Sequence, residues 1–338
     1  MYVDTMQGHR ELRKRVQFRL ALVSETDGGV GLAPHDAANL IRRAAYYSVP
    51  APLAETIVAE KLWVEAGGNA TLGTMTLAPV SPGDRITLLR RGDEADLRGT
   101  ARHVPWGTQA DHVLVFARDE RGDGFLCLIA RDGSSSNISR RNVAYEPREN
   151  LTFDRAVVPA GCIRPAPKHT RRNGLLPYGA AIRAQQMVGG MERCLDYALA
   201  YANERVQFGR PIGRFQAIQQ MLAVATGHFA AATAAADAML QSQHLGDDLL
   251  AIAIAKSRVG EAAGYVAAIC HQVHGAMGFT QEHPLHFATR RLWAWRDECG
   301  AEPYWQDWIG RTICRQGGEA LWPSLVEPHD VSQSAELY

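Results

Sequence analysis

The sequence predicts an α+β fold with a short N-terminal helical region, a middle antiparallel β domain and a C-terminal four-helix bundle. Two observations lead to this order. From about Met75 to Pro159, short apolar runs are separated by Gly and Asp turns, as in β-strands. On both sides of this stretch, apolar residues recur every three or four positions, as on one face of a helix. The predicted domains cover residues 1–70, 71–165 and 166–325, followed by a tail over 326–338.

The first zone contains two expected helices. One begins near His35, and the other covers Leu53 to Trp63. Pro50 and Pro52 mark the entry to the second helix, because proline is tolerated only at the start of a helix.

Three apolar runs in the middle zone predict strands, at Ile86 to Leu89, His112 to Phe116 and Phe125 to Ile129. Polar residues after the second and third runs predict hairpin tips at Arg118–Asp123 and Arg131–Ser136. We therefore expect a small, mostly antiparallel sheet.

The C-terminal zone contains four expected helices. Val188 and Leu195 lie on the apolar face of the first. The third begins at Asp247 and Asp248, since acidic residues are favoured at a helix N-terminus. The fourth is expected from about Pro284 to Arg315. Long helices with short Gly and Pro breaks between them favour an antiparallel bundle.

The composition narrows the class of protein. The 36 basic and 36 acidic residues give no net charge, so the bulk signature of a nucleic-acid-binding protein is missing. The six cysteines form no Cys-x-x-Cys pair, so a structural zinc site is not indicated. No window reaches the ~20 apolar residues that span a bilayer. We expect a soluble, cytoplasmic protein that binds no metal, nucleic acid or membrane.

Four histidines and a glutamate lie close together near the end of the third bundle helix: His271, His274, Glu282, His283 and His286. A metal site would need these side chains to converge. Glycine and proline residues interrupt the segment, so helical spacing cannot bring them onto one face. We interpret them as scattered polar histidines.

The stretch from Arg205 to Gln219 is the most informative part of the chain. We predict a helix that ends at Gly209, a tight basic connection, and a new helix whose first turn offers free backbone N–H groups. The connection carries Arg205, Arg210 and Arg214. Such a corner suits an anionic pyrophosphate, because arginine supplies paired donors. A plain helical hairpin with solvated arginines explains the spacing equally well.

The same stretch, Arg-x-Gln-Phe-Gly-x-x-Ile-x-x-Phe-Gln-Ala-Ile-Gln, resembles a signature of the flavin-dependent acyl-CoA dehydrogenases. Gln272 to Thr280, followed by Glu282 to Leu285, resembles a second signature of that family. Weaker similarities extend the resemblance over nearly the whole chain from about Pro50. The helix–β–helix order agrees with that family's architecture, although 338 residues is short for a member.

The resemblance implies an FAD-dependent enzyme that oxidises an acyl-CoA thioester to the trans-2-enoyl-CoA and passes electrons to an electron-transfer flavoprotein. A carboxylate would remove the α proton while the β hydrogen leaves as hydride to the flavin. This chemistry needs a base in a dry site and a polarised thioester carbonyl.

The resemblance also assigns cofactor contacts by position. The residues that would contact the ADP half of FAD or help to enclose it are Arg205, Gln207, Phe208, Ile212, Gln216, Gln272, Gly275 and Ala276. In this family these groups reach the flavin of the neighbouring subunit. A homo- or hetero-oligomer is therefore implied.

Two departures concern the chain's own flavin ring. Where the family usually places Trp-Ile-Thr against the isoalloxazine, this chain has His103-Val104-Pro105, and proline offers neither a hydroxyl nor an N–H. The acidic, Gly/Ser-rich loop that normally precedes this strand is replaced by Ala78 to Gly83.

A third departure concerns the catalytic base. Many members carry a glutamate just before a Gly-Thr pair after the last long helix, and matching that stretch puts Cys299 at the glutamate position. Others place the base at the start of the first bundle helix, where this chain has Gly179-Ala180. Glu298, one residue out of register, is the candidate catalytic residue. A solvated or ion-paired helix-end carboxylate is the alternative interpretation.

Three hypotheses follow. The chain is an FAD-dependent acyl-CoA dehydrogenase that uses Glu298, or it is a catalytically degenerate partner that completes the FAD site of a heteromeric acyl-CoA dehydrogenase. Heteromers of this kind are known in the family, including in bacterial degradation of steroid side chains. A flavin-free acyl-CoA-binding protein is the third hypothesis, and it leaves Arg205 and Gln272 without a role.

Overall fold

The computed structural model describes residues 17–92, 94–131, 133, 136–138, 140–241, 248–320 and 322–323. The predicted α+β class is confirmed, with helices before and after a β region along the chain. The chain folds as two units. One contains the described residues up to Leu40 together with Pro50–Gly179, and the other contains Ile41–Val49 and the described residues from Ala180 onward. The domain boundaries expected from the sequence stay a prediction.

In the part of the chain that the structure describes, two α-helices precede the sheet, as expected. Helix α1 covers Pro34–Tyr46 and α2 covers Leu53–Glu65. Helix α2 is largely buried, and the carboxylate of its Glu60 accepts hydrogen bonds from the hydroxyl and the backbone N–H of Thr71. Burial raises the pKa of Glu60, and the bonds from Thr71 oppose this shift. This contact ties α2 to the segment that leads into the first strand.

The strands of the first unit are β1 Met75–Ala78, β2 Ile86–Arg91, β3 Glu94–Pro105, β4 His112–Arg118, β5 Gly124–Ala130, β6 Ser136–Ile138, β7 Arg148–Pro159 and β8 Ile163–Pro165. They form one sheet in the order β6-β7-β3-β2-β4-β5-β8, with β1 paired in parallel to β4. Strands β2 and β3, and strands β4 and β5, form antiparallel hairpins. Side chains that include Leu88, Leu97, Val115 and Phe153 form the buried core of this sheet.

One of the two predicted hairpin tips is confirmed. Between β4 and β5, the Asp119 carboxylate accepts the backbone N–H groups of Arg121 and Asp123. The second tip, Arg131–Ser136, is wrong as a hairpin, because β6 pairs with β7 and β5 lies between β4 and β8. Ser134 and Ser135 lie outside the described residues.

The helices that follow the sheet are α3 Lys168–Asn173, α4 Leu176–Glu204, α5 Gln216–Ala238, α6 Leu249–His274, α7 Leu285–Asp297 and α8 Glu302–Gln316. Helices α5, α7 and α8 all pack against α6. Helix α6 begins as expected, since the Asp248 side chain accepts the Ala251 N–H at 2.9 Å. Asp247 lies outside the described residues. None of the described helices combines the length and the apolar character that crossing a membrane requires.

The expected fourth bundle helix is two helices rather than one. Helix α7 ends at Asp297 and α8 begins at Glu302. Between them Cys299 and Gly300 adopt φ angles of 57° and 89°, which no α-helix contains. Pro303 then starts α8 in the first turn, where proline is tolerated.

Helix α4 packs closely against the segment at the end of α1. A Cβ atom at Gly189 would lie 2.0 Å from the Arg42 carbonyl oxygen. The Arg42 guanidinium donates to the Gln185 side chain at 2.6 Å and to the Asp237 carboxylate at 2.5 Å. Glycine at 189 therefore lets α4 approach this segment closely enough for Arg42 to join α4 and α5.

We expect Gly189→Ala to destabilise the protein by about 1–3 kcal/mol, because the new methyl meets backbone that cannot move aside. Gly227→Ala is the matched control, since a Cβ at Gly227 in α5 meets nothing within 4 Å. That variant should gain up to about 1 kcal/mol from helix propensity. Urea unfolding of both variants checks this, and equal stabilities would contradict the packing described.

Candidate functional site

The basic corner after α4 is a small β-hairpin. Helix α4 ends at Glu204, and Val206–Gln207 pair in antiparallel fashion with Arg210–Pro211. Phe208 and Gly209 form the tip, with φ angles of 50° and 78°. The predicted helix end at Gly209 is therefore wrong. The positive φ that favours glycine at a helix end serves here in a two-residue hairpin turn.

The predicted cofactor residues of this hairpin face outward. The side chain of Phe208 is 91% exposed. Arg205, Gln207 and Gln216 are exposed as well, whereas Ile212 is half-buried. Because most of these side chains are exposed, another molecule can contact them.

An aromatic residue orders one arginine of the hairpin. The Arg210 guanidinium lies 4.3 Å from the centre of the Phe215 ring, and the Phe208 ring meets Phe215 edge to face at 6.1 Å. Stacking on an aromatic face leaves the in-plane N–H groups of arginine free to bind an anion.

Helix α5 begins directly after this cluster. Its N-cap residue is Phe215, whose side chain cannot cap the first turn. The start of a helix carries N–H groups without intrahelical partners and a partial positive charge. Together with Arg205, Arg210 and Arg214, this end of α5 suits a phosphate group.

The second predicted motif lies where α6 ends. Gly275 has φ 58° and ψ −139°, and its N–H donates to the carbonyl groups of His271 and Gln272. A 3₁₀ turn then covers Gly275–Phe279. Gln272, Gly275 and Ala276 are all exposed.

The structure brings the two motifs to neighbouring helix ends. Tyr201, one turn before the hairpin, stacks on His274 with ring centroids 4.7 Å apart. His274 immediately precedes Gly275 in the sequence. All the predicted cofactor residues therefore lie at one end of the helical unit.

The histidines near this end are not the scattered polar residues that the sequence suggested. His271 and His274 are buried, and the His274 and His283 rings lie 4.5 Å apart. Burial lowers the pKa of all three imidazoles, and for His271 and His283 the neighbouring His274 adds to the shift. They are therefore neutral near pH 7. In the described part of the chain, no group of three or more ligand-type side chains is arranged to hold a metal ion.

The candidate base Glu298 lies in the turn between α7 and α8. Its carboxylate accepts a hydrogen bond from Arg183 Nε at 2.7 Å. The Arg183 side chain on α4 is 2% exposed and that of Glu298 is 13% exposed. Arg183 also donates to Gln186. The carboxylate is thus held in a nearly dry ion pair.

Lys256 on α6 is a second buried cation at this turn. Its Nζ donates to the carbonyl oxygens of Arg296 and Gly300, both at 2.7 Å. Burial lowers the pKa of Lys256 to about 8, and the charges of Cys299, Glu302 and Glu298 act against that shift. Sequence analysis missed Lys256 and Arg183. The signal for Lys256 is a lysine that follows five alternating Ala and Ile residues within a helix.

The comparisons with known proteins agree with this architecture. Residues 172–296 match the family described as acyl-CoA dehydrogenase, C-terminal domain. The acyl-CoA dehydrogenase IpdE2 of Mycolicibacterium smegmatis is 26% identical over 282 residues, which are 83% of this chain and 80% of that protein. The acyl-CoA dehydrogenase FadE34 of Mycobacterium tuberculosis is 31% identical over 80% of this chain and 37% of its own length.

A solved structure shows the same fold. The ChsE4-ChsE5 complex from Mycobacterium tuberculosis superposes with a TM-score of 0.77 at 22% identity, over 88% of this chain and 85% of that chain. Residues 172–296 are thus an acyl-CoA dehydrogenase C-terminal domain, and the chain as a whole is similar to acyl-CoA dehydrogenases. The resemblance indicated by the two sequence motifs is thereby confirmed.

FAD is the cofactor of acyl-CoA dehydrogenases, and the residues of the hairpin fit its ADP half. They offer exposed guanidinium groups, the N-terminus of α5 and the open ring of Phe208. Paired donors and a helix N-terminus are what a pyrophosphate requires. An exposed aromatic ring gives adenine a surface on which to stack.

The strand that, by the family resemblance, would face the flavin ring fits the cofactor less well. The His103 N–H is donated to the Asn150 side chain at 3.0 Å, and the Trp106 N–H to the Pro147 carbonyl at 3.2 Å. Pro105 has no N–H, and its carbonyl accepts the Thr76 hydroxyl. These groups already have partners within the first unit, which is consistent with the departure from the family pattern at Pro105.

We expect the Arg183–Glu298 pair to show a large coupling energy. Removing one partner from a buried pair costs about 3–5 kcal/mol, because the other charge remains in the protein interior. A double-mutant cycle of Arg183→Met and Glu298→Gln, followed by urea unfolding, should give a coupling of about 2 kcal/mol or more.

The exposed pair Arg311–Asp307 in α8 is the control, with side chains 70% and 59% exposed. The same cycle there should give about 0.5 kcal/mol or less. Equal coupling energies in the two cycles would contradict the buried character of the Glu298 pair.

Proposed function

We propose that the chain is a subunit of an oligomeric, FAD-dependent acyl-CoA dehydrogenase, in which its hairpin completes the FAD site of a neighbouring subunit. The reaction is α,β-dehydrogenation of an acyl-CoA thioester to the 2-enoyl-CoA, with an electron-transfer flavoprotein as acceptor. The observation that carries the proposal is the hairpin itself. It presents Arg205, Gln207 and Phe208 at the surface, where another molecule can contact them.

Each group of the site has a separate task in this proposal. Arg205 and Arg210 bind the pyrophosphate, the first turn of α5 supports it, and Phe208 contacts the adenine. Gln272, Gly275 and Ala276 enclose the cofactor from the neighbouring helix end. When bound, FAD supplies the acceptor for the substrate hydride.

Glu298 is the proposed base for the α proton. A general base needs a fixed carboxylate that is shielded from water, and the Arg183 bond provides such a fixed position. Accepting the α proton would neutralise the carboxylate, and one of its oxygens could still accept the hydrogen bond from Arg183.

A second candidate function is favoured by the flavin-facing strand. Pro105 and the hydrogen-bonded N–H groups around it leave the chain with poor contacts for its own flavin ring. A partner subunit that completes the FAD site of a homologous catalytic chain does not need those contacts. The solved structure with this fold named above is a complex of ChsE4 with ChsE5. We propose that the substrate of such an assembly is the CoA thioester of a fatty acid or of a steroid side chain.

The double variant Arg205→Gln/Arg210→Gln tests the hairpin. Each charge-assisted hydrogen bond is worth about 1.5–3 kcal/mol, so the assembled enzyme should lose on the order of tenfold or more in FAD affinity. FAD content after gel filtration, and titration of the apoprotein with FAD, measure the effect. The exposed Arg121→Gln in the β4–β5 turn is the control and should retain FAD. Unchanged affinity in the double variant would exclude the hairpin as an FAD site.

Glu298→Gln tests the base. If Glu298 removes the α proton, turnover of acyl-CoA should fall by about 10²–10⁴-fold in the FAD-loaded assembly. The flavin absorbance spectrum shows that FAD is retained, and stopped-flow flavin reduction measures the step itself.

The second candidate gives the opposite result in the same experiment. Turnover would then be unchanged in Glu298→Gln, and the chain would carry FAD only when it is purified together with a homologous acyl-CoA dehydrogenase chain. Stoichiometric FAD on the chain purified alone would exclude the partner function.

A further inference from the structure

Lys256 occupies an unusual position for a lysine. It lies in the middle of α6 with no exposed surface, next to buried residues such as Ala255 and Val259. Its Nζ donates to the carbonyl oxygens of Arg296 and Gly300. These two carbonyls lie on either side of Asp297, Glu298 and Cys299, so the ammonium bridges both ends of the turn.

The turn needs such a bridge, because its backbone is strained. Cys299 has φ 57°, which is uncommon for a residue with a side chain. Gly300 follows at φ 89°, and a Cβ there would lie 2.7 Å from Trp305 Nε1. No helical hydrogen bonds cross these residues, since α7 ends at Asp297 and α8 begins at Glu302.

Other contacts hold the turn from different sides. The Trp305 indole N–H donates to the Cys299 carbonyl at 3.1 Å. The Arg296 guanidinium donates to the Glu302 carboxylate at 2.7 Å. The Arg296–Glu302 pair also joins the two sides of the turn, but it does so through side chains, and that of Arg296 is 40% exposed. Lys256 instead joins the two sides through backbone carbonyl oxygens.

We infer that Lys256 is a positioning residue for Glu298: by binding the carbonyl oxygens of Arg296 and Gly300, its ammonium closes the turn and keeps the Glu298 carboxylate against Arg183. The structural part of this inference stands by itself. Its consequence for catalysis rests on the proposed function, in which Glu298 is the base.

The charges around the turn support this role. Arg183, Lys256 and Arg296 supply positive charge, and Glu298 and Glu302 supply negative charge. An uncharged side chain of similar length at 256 would leave the buried Gly300 carbonyl and the partly buried Arg296 carbonyl without their donor. The turn would then regain those hydrogen bonds only by opening toward water.

Cys299 is an internal reporter of opening, because its side chain is buried inside the turn. Cys194 and Cys270 are buried elsewhere in the same unit, and burial raises the pKa of Cys270 to about 12. Cys314 is exposed. Alkylation of each cysteine is measured by mass spectrometry in one sample. The rate at Cys299 reports opening of the turn, the rates at Cys194 and Cys270 report global unfolding, and the rate at Cys314 reports reagent activity.

The experiment compares alkylation rates in the full chain for wild type, Lys256→Met and Lys256→Arg. Lys168→Met is the matched control, since Lys168 is exposed in α3. We expect the Cys299 rate to rise at least tenfold in Lys256→Met, with Cys194 and Cys270 unchanged. Lys256→Arg, which keeps a cationic donor, should restore part of the protection, and Lys168→Met should match wild type.

The sign of the change in the Cys299 alkylation rate distinguishes opening of the turn from an electrostatic effect on the thiol. Removing the ammonium takes away positive charge near the thiol, which by itself slows alkylation because less thiolate is present. A faster reaction therefore reports opening of the turn. A Cys299 rate within twofold of wild type, or a rise shared equally by Cys194 and Cys270, would overturn the inference.

Activity of the FAD-loaded assembly separates this inference from the proposed function. If both hold, Lys256→Met lowers kcat at least tenfold while KM for acyl-CoA and the FAD content stay within twofold of wild type. Faster Cys299 alkylation with unchanged kcat would keep Lys256 as the residue that positions the turn and would remove Glu298 as the base.

Discussion

Two buried cations determine the arrangement of the helical unit. Arg183 on α4 and Lys256 on α6 have almost no exposed surface, and a charge in a protein interior is tolerated only when it has partners. Both find them in the turn between α7 and α8, which supplies the Glu298 carboxylate and the carbonyl oxygens of Arg296 and Gly300. Helices α4, α6, α7 and α8 therefore meet at one short segment, and the split of the last bundle helix follows from the same requirement.

The two candidate sites differ in how many contacts their polar side chains make within the chain. At the turn, each polar group described above has a partner within the unit, and Glu298 is held in one place. At the hairpin, Arg205, Gln207 and Phe208 project outward and stabilise little of their own fold. An exposed aromatic side chain beside arginines adds little to the stability of a monomer and is typical of a binding surface. This contrast supports our proposal that the hairpin binds a neighbour's cofactor and that the turn holds the chain's own base.

Much of the fold was predictable because it depends on local patterns. Apolar spacing and prolines indicated α1 and α2, the acidic cap indicated α6, and the apolar runs indicated β2, β4 and β5. Other features depend on contacts that a pattern does not contain. The break at Cys299 and Gly300 is marked only by Gly300 and Pro303, while apolar residues continue at helical spacing on both sides of it. The paired strands at Val206–Gln207 and Arg210–Pro211 are too short to show alternation. Arg183 and Lys256 are charged residues on helices, where exposure is the ordinary expectation. The family motifs indicated the proposed cofactor residues, but only the structure shows that Glu298 has an arginine partner.

The most direct measurement of the central claim is an experimental structure of the FAD-loaded assembly, purified with all the subunits it contains. The account predicts that Arg205 and Arg210 of one subunit lie within hydrogen-bonding distance, about 2.7–3.2 Å, of the pyrophosphate of an FAD whose isoalloxazine ring rests on another subunit. A pyrophosphate bound only by residues of a single subunit, with the hairpin in solvent, would contradict it.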